Sequence, residues 1–354
     1  MTNPKPSENL FRLAAQKKNT TGTPPVWLMR QAGRYHAHYQ NLRKRYSFME
    51  LCKLPEVACE TTMGPIRDFD FDAAILFSDL LFPLEVMGTG LEYGDAGPKL
   101  GWHIKSAADV GRLRSGPELV SHLQFQGDAM KLIRRTLPAH KGLLGFVGGP
   151  LTLFFYAVSG SHRGDLSDAR AALTDGRWEP FLEKLIPLLV ENMLLQARAG
   201  ADCVALLDTC GGEISPDLYG KLVVPANQKV LEAFKRGAPD TLVTYYSKGT
   251  NADYWRHLVG LPIHCLGIDW HNDLAATLRD WGQHWAIQGN VDPEWMFLPW
   301  PELETKLRAV FAQVAKLPAS ARAGWICGLG HGVLPKTPEE NVRRFVQLVR
   351  EVFA

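Results

Sequence analysis

Cys203-Val204-Ala205-Leu206-Leu207-Asp208-Thr209-Cys210-Gly211-Gly212 is the stretch on which the fold turns. Its first five residues are apolar without alternation, as a strand covered on both faces requires. An acid, a hydroxyl and a glycine pair follow at once, the composition of a strand end opening into a turn. Apolar runs of strand length recur at Val26–Met29, Ala73–Phe77, Leu143–Val147, Cys203–Leu207, Leu242–Tyr246, Ile263–Leu266, Trp285–Gln288 and Trp325–Cys327. Helical periods fill most of the intervals. Leu182, Leu185, Leu188, Leu189 and Met193, for example, share one face of Phe181–Arg198. Near the C-terminus, Thr337, Pro338 and Glu340 read as an N-cap, a first-turn proline and a capping-box acid. Strands alternating with helices predict an α/β fold: a single (β/α)8 TIM-type barrel over residues 24–354, preceded by a polar N-terminal arm, residues 1–23. A doubly wound sheet would use fewer strands, and no GxGxxG follows any of these runs.

A barrel gathers the residues just beyond its strands at one rim, where its chemistry is built. Those residues are Arg30 and Arg34, Ser78 and Asp79, Gly148 and Gly149, Asp208 and Thr209, Ser247 and Lys248, Asp269, Asn290 and Asp292, and Gly330 and His331. Each has a plain structural reading beside a functional one. Arg30 and Arg34 stand four apart among Trp27, Tyr35 and Tyr39 with no acid beside them. They fit either a basic surface helix or a site for several carboxylates, which guanidinium forks bind well. Asp79, in an apolar stretch, is either a helix cap or a carboxylate aimed into a cavity to accept ligand N–H groups. Gly145-Phe146-Val147-Gly148-Gly149-Pro150 implies glycines at positive φ, or backbone that a bulky ligand approaches. It lacks the lysine and spacing of a phosphate loop. Tyr156 reads first as core, Thr209 as a hydroxyl donor, and His331 either as a structural imidazole bonding a carbonyl or as a proton carrier.

The 354 residues are 46% hydrophobic and 21% charged, and 39 basic against 37 acidic side chains leave a net charge of +2. This near balance gives no case for nucleic acid or an anionic membrane. The N-terminus lacks a signal-peptide core, and Phe181–Ala199 carries four charges, which excludes membrane insertion. Six cysteines without a CxxC pair point to a reduced, cytoplasmic protein. Cys210, Cys265 and Cys327, with His264 and His331, are the available zinc ligands. Adjacent His264 and Cys265 face opposite ways on a strand, so no metal is expected.

Taken together, WLMRQAGRY at 27–35, FSD at 77–79, GFVGGP at 145–150 and GLGHG at 328–332 closely resemble the uroporphyrinogen decarboxylase family; GIDW at 267–270 and GNVDP at 289–293 add to the match. The resemblance runs from about Leu10 to the C-terminus. It implies a homodimeric (β/α)8 enzyme without metal or cofactor. Such an enzyme converts the four acetate arms of uroporphyrinogen III to methyl groups, giving coproporphyrinogen III. It further implies that Arg30 and Arg34 position substrate carboxylates, with Arg30 also a candidate acid. Asp79 would be the central aspartate, and Tyr156 and His331 active-site residues. Thr209 stands where the family commonly has serine, and Leu151 where it often has tryptophan. The alternative is a zinc-dependent, corrinoid-linked thiol methyltransferase of the same barrel superfamily.

Overall fold

The computed structural model describes residues 8–94, 97–161 and 164–353. Its strands are β1 (Ala73–Ile75), β2 (Leu91–Gly94), β3 (Gly97–Leu100), β4 (Gly142–Gly148), β5 (Cys203–Leu207), β6 (Leu242–Tyr246), β7 (Cys265–Gly267), β8 (Ala286–Val291) and β9 (Trp325–Leu329). Seven of them form one parallel sheet in the order β1-β4-β5-β6-β7-β8-β9, and β2 and β3 make a separate antiparallel hairpin. The sheet curls, with helices between its strands, as a distorted (β/α)8 barrel.

Continuous apolarity along the strands follows from two covered faces. In β5, Cys203, Ala205 and Leu207 join the inner cluster with Leu144, Leu242, Cys265, Ala286 and Ile326. Val204 and Leu206 join the outer layer with Val243, Leu266 and Ile287, against the helices. Phe11, from the helix Leu10–Ala15, packs into the inner cluster. A Cβ on Gly142 would stand 2.9 Å from Phe11. Asn9 caps that helix by accepting from Arg12 N–H. The first seven residues of the expected arm lie outside the described residues.

The first expected strand, Val26–Met29, is reduced to a single parallel bridge between Val26 and Cys327. Its flanks account for this. Pro24 and Pro25 have no N–H to give, the Asp72 carboxylate takes Val26 N–H, and Arg30 turns the chain at φ 59°. The segment still spans the seam. Trp27 N–H donates to Cys327 O on one side, Asp72 N–H donates to Val26 O on the other, and Gln31 Nε2 donates to Ala73 O. On the far side of β1, pairing with β4 stops just past Ile75, with Leu76 N–H on Leu144 O. Gln196 then substitutes for the missing strand, accepting from Phe146 N–H and donating to Phe146 O. Residues 76–81 are thereby released from the sheet.

Two local expectations are corrected. The last helix begins at Glu339 rather than Pro338, and no capping box forms. The Thr337 hydroxyl has no hydrogen-bond partner among the described residues, and Glu340 pairs with Arg344 instead. Gly148 and Gly149 do not need positive φ; Gly149 sits at φ −67°. Crowding requires Gly149 instead, since a Cβ there would lie 2.4 Å from Asp208 Cγ.

Candidate active site

The released segment after β1 carries Asp79. Its Oδ1 accepts from Leu81 N–H at 2.8 Å, an Asx turn that leads into the helix Phe82–Val86. The capping reading of this residue is therefore real. It does not exhaust the carboxylate, which stands half-buried beside Tyr93 and within electrostatic reach of Arg30. Loss of water pushes its pKa above the ordinary carboxylate range. Tyr93, the Leu81 amide and the Arg30 charge pull it back. Neighbouring Ser78 is committed to structure, accepting from Gln126 Nε2.

The WLMRQAGRY segment divides its labour. Trp27, Leu28 and Tyr35 are buried, and the Tyr35 hydroxyl donates to Gln31 O. Arg30 and Arg34 are both exposed. The Arg30 stem lies against Gly332, where a Cβ would meet Arg30 Cδ at 2.4 Å. GLGHG is thus glycine-rich partly to admit the arginine. The charge of Arg30 also reaches Tyr246, whose hydroxyl donates to Gly330 O and whose ring meets His331 edge-on at 6.1 Å. His331 Nδ1 accepts from Gly332 N–H at 2.7 Å. With Nδ1 accepting, the neutral ring carries its proton on Nε2.

Tyr156 lies buried on the helix Pro150–Ser159, within electrostatic reach of Tyr93. Arg30, Asp79, Tyr156 and His331 are thus linked through Tyr93 and Tyr246. Neither tyrosine was singled out from sequence. Glycines at 94 and 97 flanking a short run were the available signal for the hairpin that delivers Tyr93. Arg34 stands further along the same loop, near Tyr39. Half-buried Thr209 follows β5.

Behind Thr209 lies a second polar cluster. Asp208 is fully buried, and its Oδ1 accepts from both the amide and the hydroxyl of Thr152. The Tyr245 hydroxyl approaches its Oδ2 at 3.5 Å and shares a 2.6 Å hydrogen bond with the Tyr219 hydroxyl. Burial pushes the Asp208 pKa up to about 6. Asp269 is likewise occupied, accepting from Gly249 N–H, His271 N–H and Asn272 Nδ2. Asn290 is the penultimate residue of β8, and its Nδ2 donates to Asp269 O and Asn272 O. Several of the expected rim residues are therefore loop fasteners.

The cysteines do not assemble. Cys265 belongs to the inner cluster, whereas Cys210 and Cys327 belong to the outer layer. Among the described residues, no three His, Cys, Asp or Glu side chains are grouped to hold a metal ion. Nor is any helix among them long and apolar enough to cross a membrane.

The family model described as uroporphyrinogen decarboxylase matches residues 6–352. A uroporphyrinogen decarboxylase from Roseiflexus sp. is 35% identical over 352 residues, covering 97% of this chain and 98% of the relative. One from Pelobacter propionicus is 36% identical over 330 residues, covering 93% and 94%. Among solved structures, a methyltransferase from Methanosarcina mazei superposes with a TM-score of 0.77. It covers 98% of this chain and 99% of that one, at 18% identity, a likeness of fold alone. Neither of these two sequence relatives supports the methyltransferase alternative. The match from end to end, at more than a third of positions in relatives such as these, leaves one conclusion: the chain belongs to the uroporphyrinogen decarboxylase family.

Proposed function

We infer that this chain is a carboxy-lyase that decarboxylates the four acetate arms of uroporphyrinogen III, giving coproporphyrinogen III and four CO2. The observation that carries the site reading is the half-buried Asp79 carboxylate, set on a released loop within reach of Arg30. A porphyrinogen presents four pyrrole N–H groups at its centre and carboxylates around its edge. The N–H groups are donors for Asp79, compensating a charge that burial disfavours. Arg30 and Arg34 hold edge carboxylates, with charge-assisted bonds of roughly 1.5–3 kcal/mol each.

The substrate supplies its own electron sink. A proton added to a pyrrole ring carbon makes the ring iminium-like. The bond to the carboxylate then breaks, CO2 departs and the electron pair enters the ring. A second proton completes the methyl group as the ring proton leaves, so each arm consumes one proton overall. Asp79 favours the positive ring electrostatically. In our reading Arg30 positions the departing carboxylate and is a candidate acid. A guanidinium holds its proton so tightly that outright proton loss is costly. Tyr156 and the Nε2–H of His331 supply protons through water, and Thr209 adds a hydroxyl donor.

We further propose that residues 24–354 act as one catalytic domain with residues 1–23 as an arm. The packing of Phe11 into the inner cluster supports that division. Six unpaired cysteines, five of them buried, support a cytoplasmic setting. We propose a homodimer by family likeness, to be checked by sedimentation at several concentrations.

Anaerobic incubation with uroporphyrinogen III, then oxidation and chromatography, should yield hepta- to tetracarboxylate products. An unchanged octacarboxylate would refute the activity. Asp79→Ala should abolish turnover, and a variant near wild type would remove Asp79 from the mechanism.

A further inference from the structure

A valine would fill the space of Thr152, which is buried in the first turn of the helix Pro150–Ser159; its hydroxyl is there for its bonds. That helix has Gly149 at its N-cap and so no capping side chain of its own. The cap comes instead from the end of β5, 56 residues along the chain, where Asp208 Oδ1 accepts from Thr152 N–H at 2.9 Å. The Thr152 hydroxyl is used twice. It donates to the same oxygen at 2.8 Å and accepts from Cys210 N–H at 3.1 Å. A further bond, from Gly149 N–H to Leu207 O at 2.7 Å, completes the lacing between the two elements.

These bonds bracket one residue. Asp208 and Cys210 are the two chain neighbours of Thr209, and both are tied to Thr152. On the helix, Tyr156 follows Thr152 by four residues, one turn along the same face. A single side chain therefore joins the turn that presents Thr209 to the helix that presents Tyr156. Thr152, Asp208 and Cys210 are themselves buried, so they act behind the site rather than in it. Without the Thr152 oxygen, the Cys210 amide would be left buried and unpaired, and the turn and the helix would lose the bond that fixes their separation. Apolar packing is non-directional and does not hold two donors to the fraction of an ångström that catalysis needs.

We propose that Thr152 is a positioning residue for the reaction: its hydroxyl clasps both neighbours of Thr209 and so holds the Thr209 and Tyr156 hydroxyls in one register. The proposal rests on the roles given above to those two residues. Asp208 is the anchor of the clasp, since its Oδ1 takes both the amide and the hydroxyl of Thr152. This gives the buried carboxylate a purpose that stability alone does not supply.

Thr152→Val is the test, because it keeps the shape and deletes the oxygen. The first readout needs no turnover: hydrogen exchange at the Cys210 amide should quicken about tenfold or more once its acceptor is gone. Unchanged exchange overturns the proposal. The second readout is steady-state kinetics on uroporphyrinogen III, scaled to folded protein. Here kcat should fall roughly tenfold or more while KM moves about twofold or less. A lower thermal midpoint with kcat and KM both intact would mean that Thr152 serves stability alone, and would overturn the proposal. Thr152→Ser restores the hydroxyl and should recover most of the lost turnover, whereas Thr152→Ala should not. Equal impairment in that pair also overturns it. If Thr152→Val fails to fold, the serine and alanine variants, which differ by one oxygen, make the same comparison. If the wild-type protein leaves uroporphyrinogen untouched, the reaction reading fails, and the exchange still decides whether Thr152 ties the turn to the helix.

Discussion

Asp208→Asn should stabilise the protein, and by an amount that depends on pH. The folded-state pKa of Asp208 is raised to about 6 from its ordinary 3.8. Below 3.8 the acid is neutral in both folded and unfolded chains and contributes no penalty. Between 3.8 and 6 the unfolded chain ionises first, so stability falls as pH rises. Above 6 the buried charge is present in full. At about 1.4 kcal/mol per pH unit, the displacement from 3.8 to about 6 is a penalty of roughly 3 kcal/mol. Of this, about 2 kcal/mol accumulates between pH 4.5 and 7.5. Asparagine imitates the neutral acid. Its carbonyl can keep both bonds from Thr152, and its amide can donate to the Tyr245 hydroxyl, which donates on to Tyr219. Urea unfolding of both proteins, followed by tryptophan fluorescence across that pH range, reads the difference directly. The variant's advantage should grow with pH while the m-values agree. A difference that stays flat, or shrinks as pH rises, would refute the claim that Asp208 is buried as a costly charge.

Gly149→Ala should destabilise by about 1–3 kcal/mol, because the new methyl collides with the same carboxylate; the thermal midpoint would fall. Arg34→Ala should lower kcat/KM roughly tenfold or more through loss of a carboxylate contact. Arg30→Lys keeps the charge but not the fork and should lose a comparable amount, measured on the octacarboxylate substrate. His331→Asn retains an acceptor for Gly332 N–H while deleting Nε2–H. Turnover should drop about 100-fold with the fold intact by circular dichroism.

Much of this molecule was legible in its sequence, for a definite reason. Strands buried on both faces have to be apolar at successive positions, so β4, β5 and β6 announced themselves. The strand expected at Val26–Met29 has the same composition but lacks ladder partners, because neighbouring prolines and the Asp72 carboxylate take the backbone elsewhere. No periodicity reports a partner 46 residues away. Arg30, Asp79 and His331 were nameable because each follows an apolar run. Tyr93 was not, because it arrives from a hairpin lying outside the barrel order. Asp269 stood among the rim residues in the sequence and is a fastener, since composition cannot distinguish a carboxylate awaiting a ligand from one already saturated by amides.

The seam at residues 25–31 gives the barrel an uneven compliance. A stave tied at one bridge and a few lone hydrogen bonds yields more readily than staves laced along their length. Arg30 rides on that yielding stave, while Asp79 is pinned by its own turn. A catalyst that must process four arms of one macrocycle in succession benefits from this asymmetry. On the roles proposed above for Asp79 and Arg30, the hub of the ring can stay registered while the clamp at its edge gives way and re-forms around each new shape.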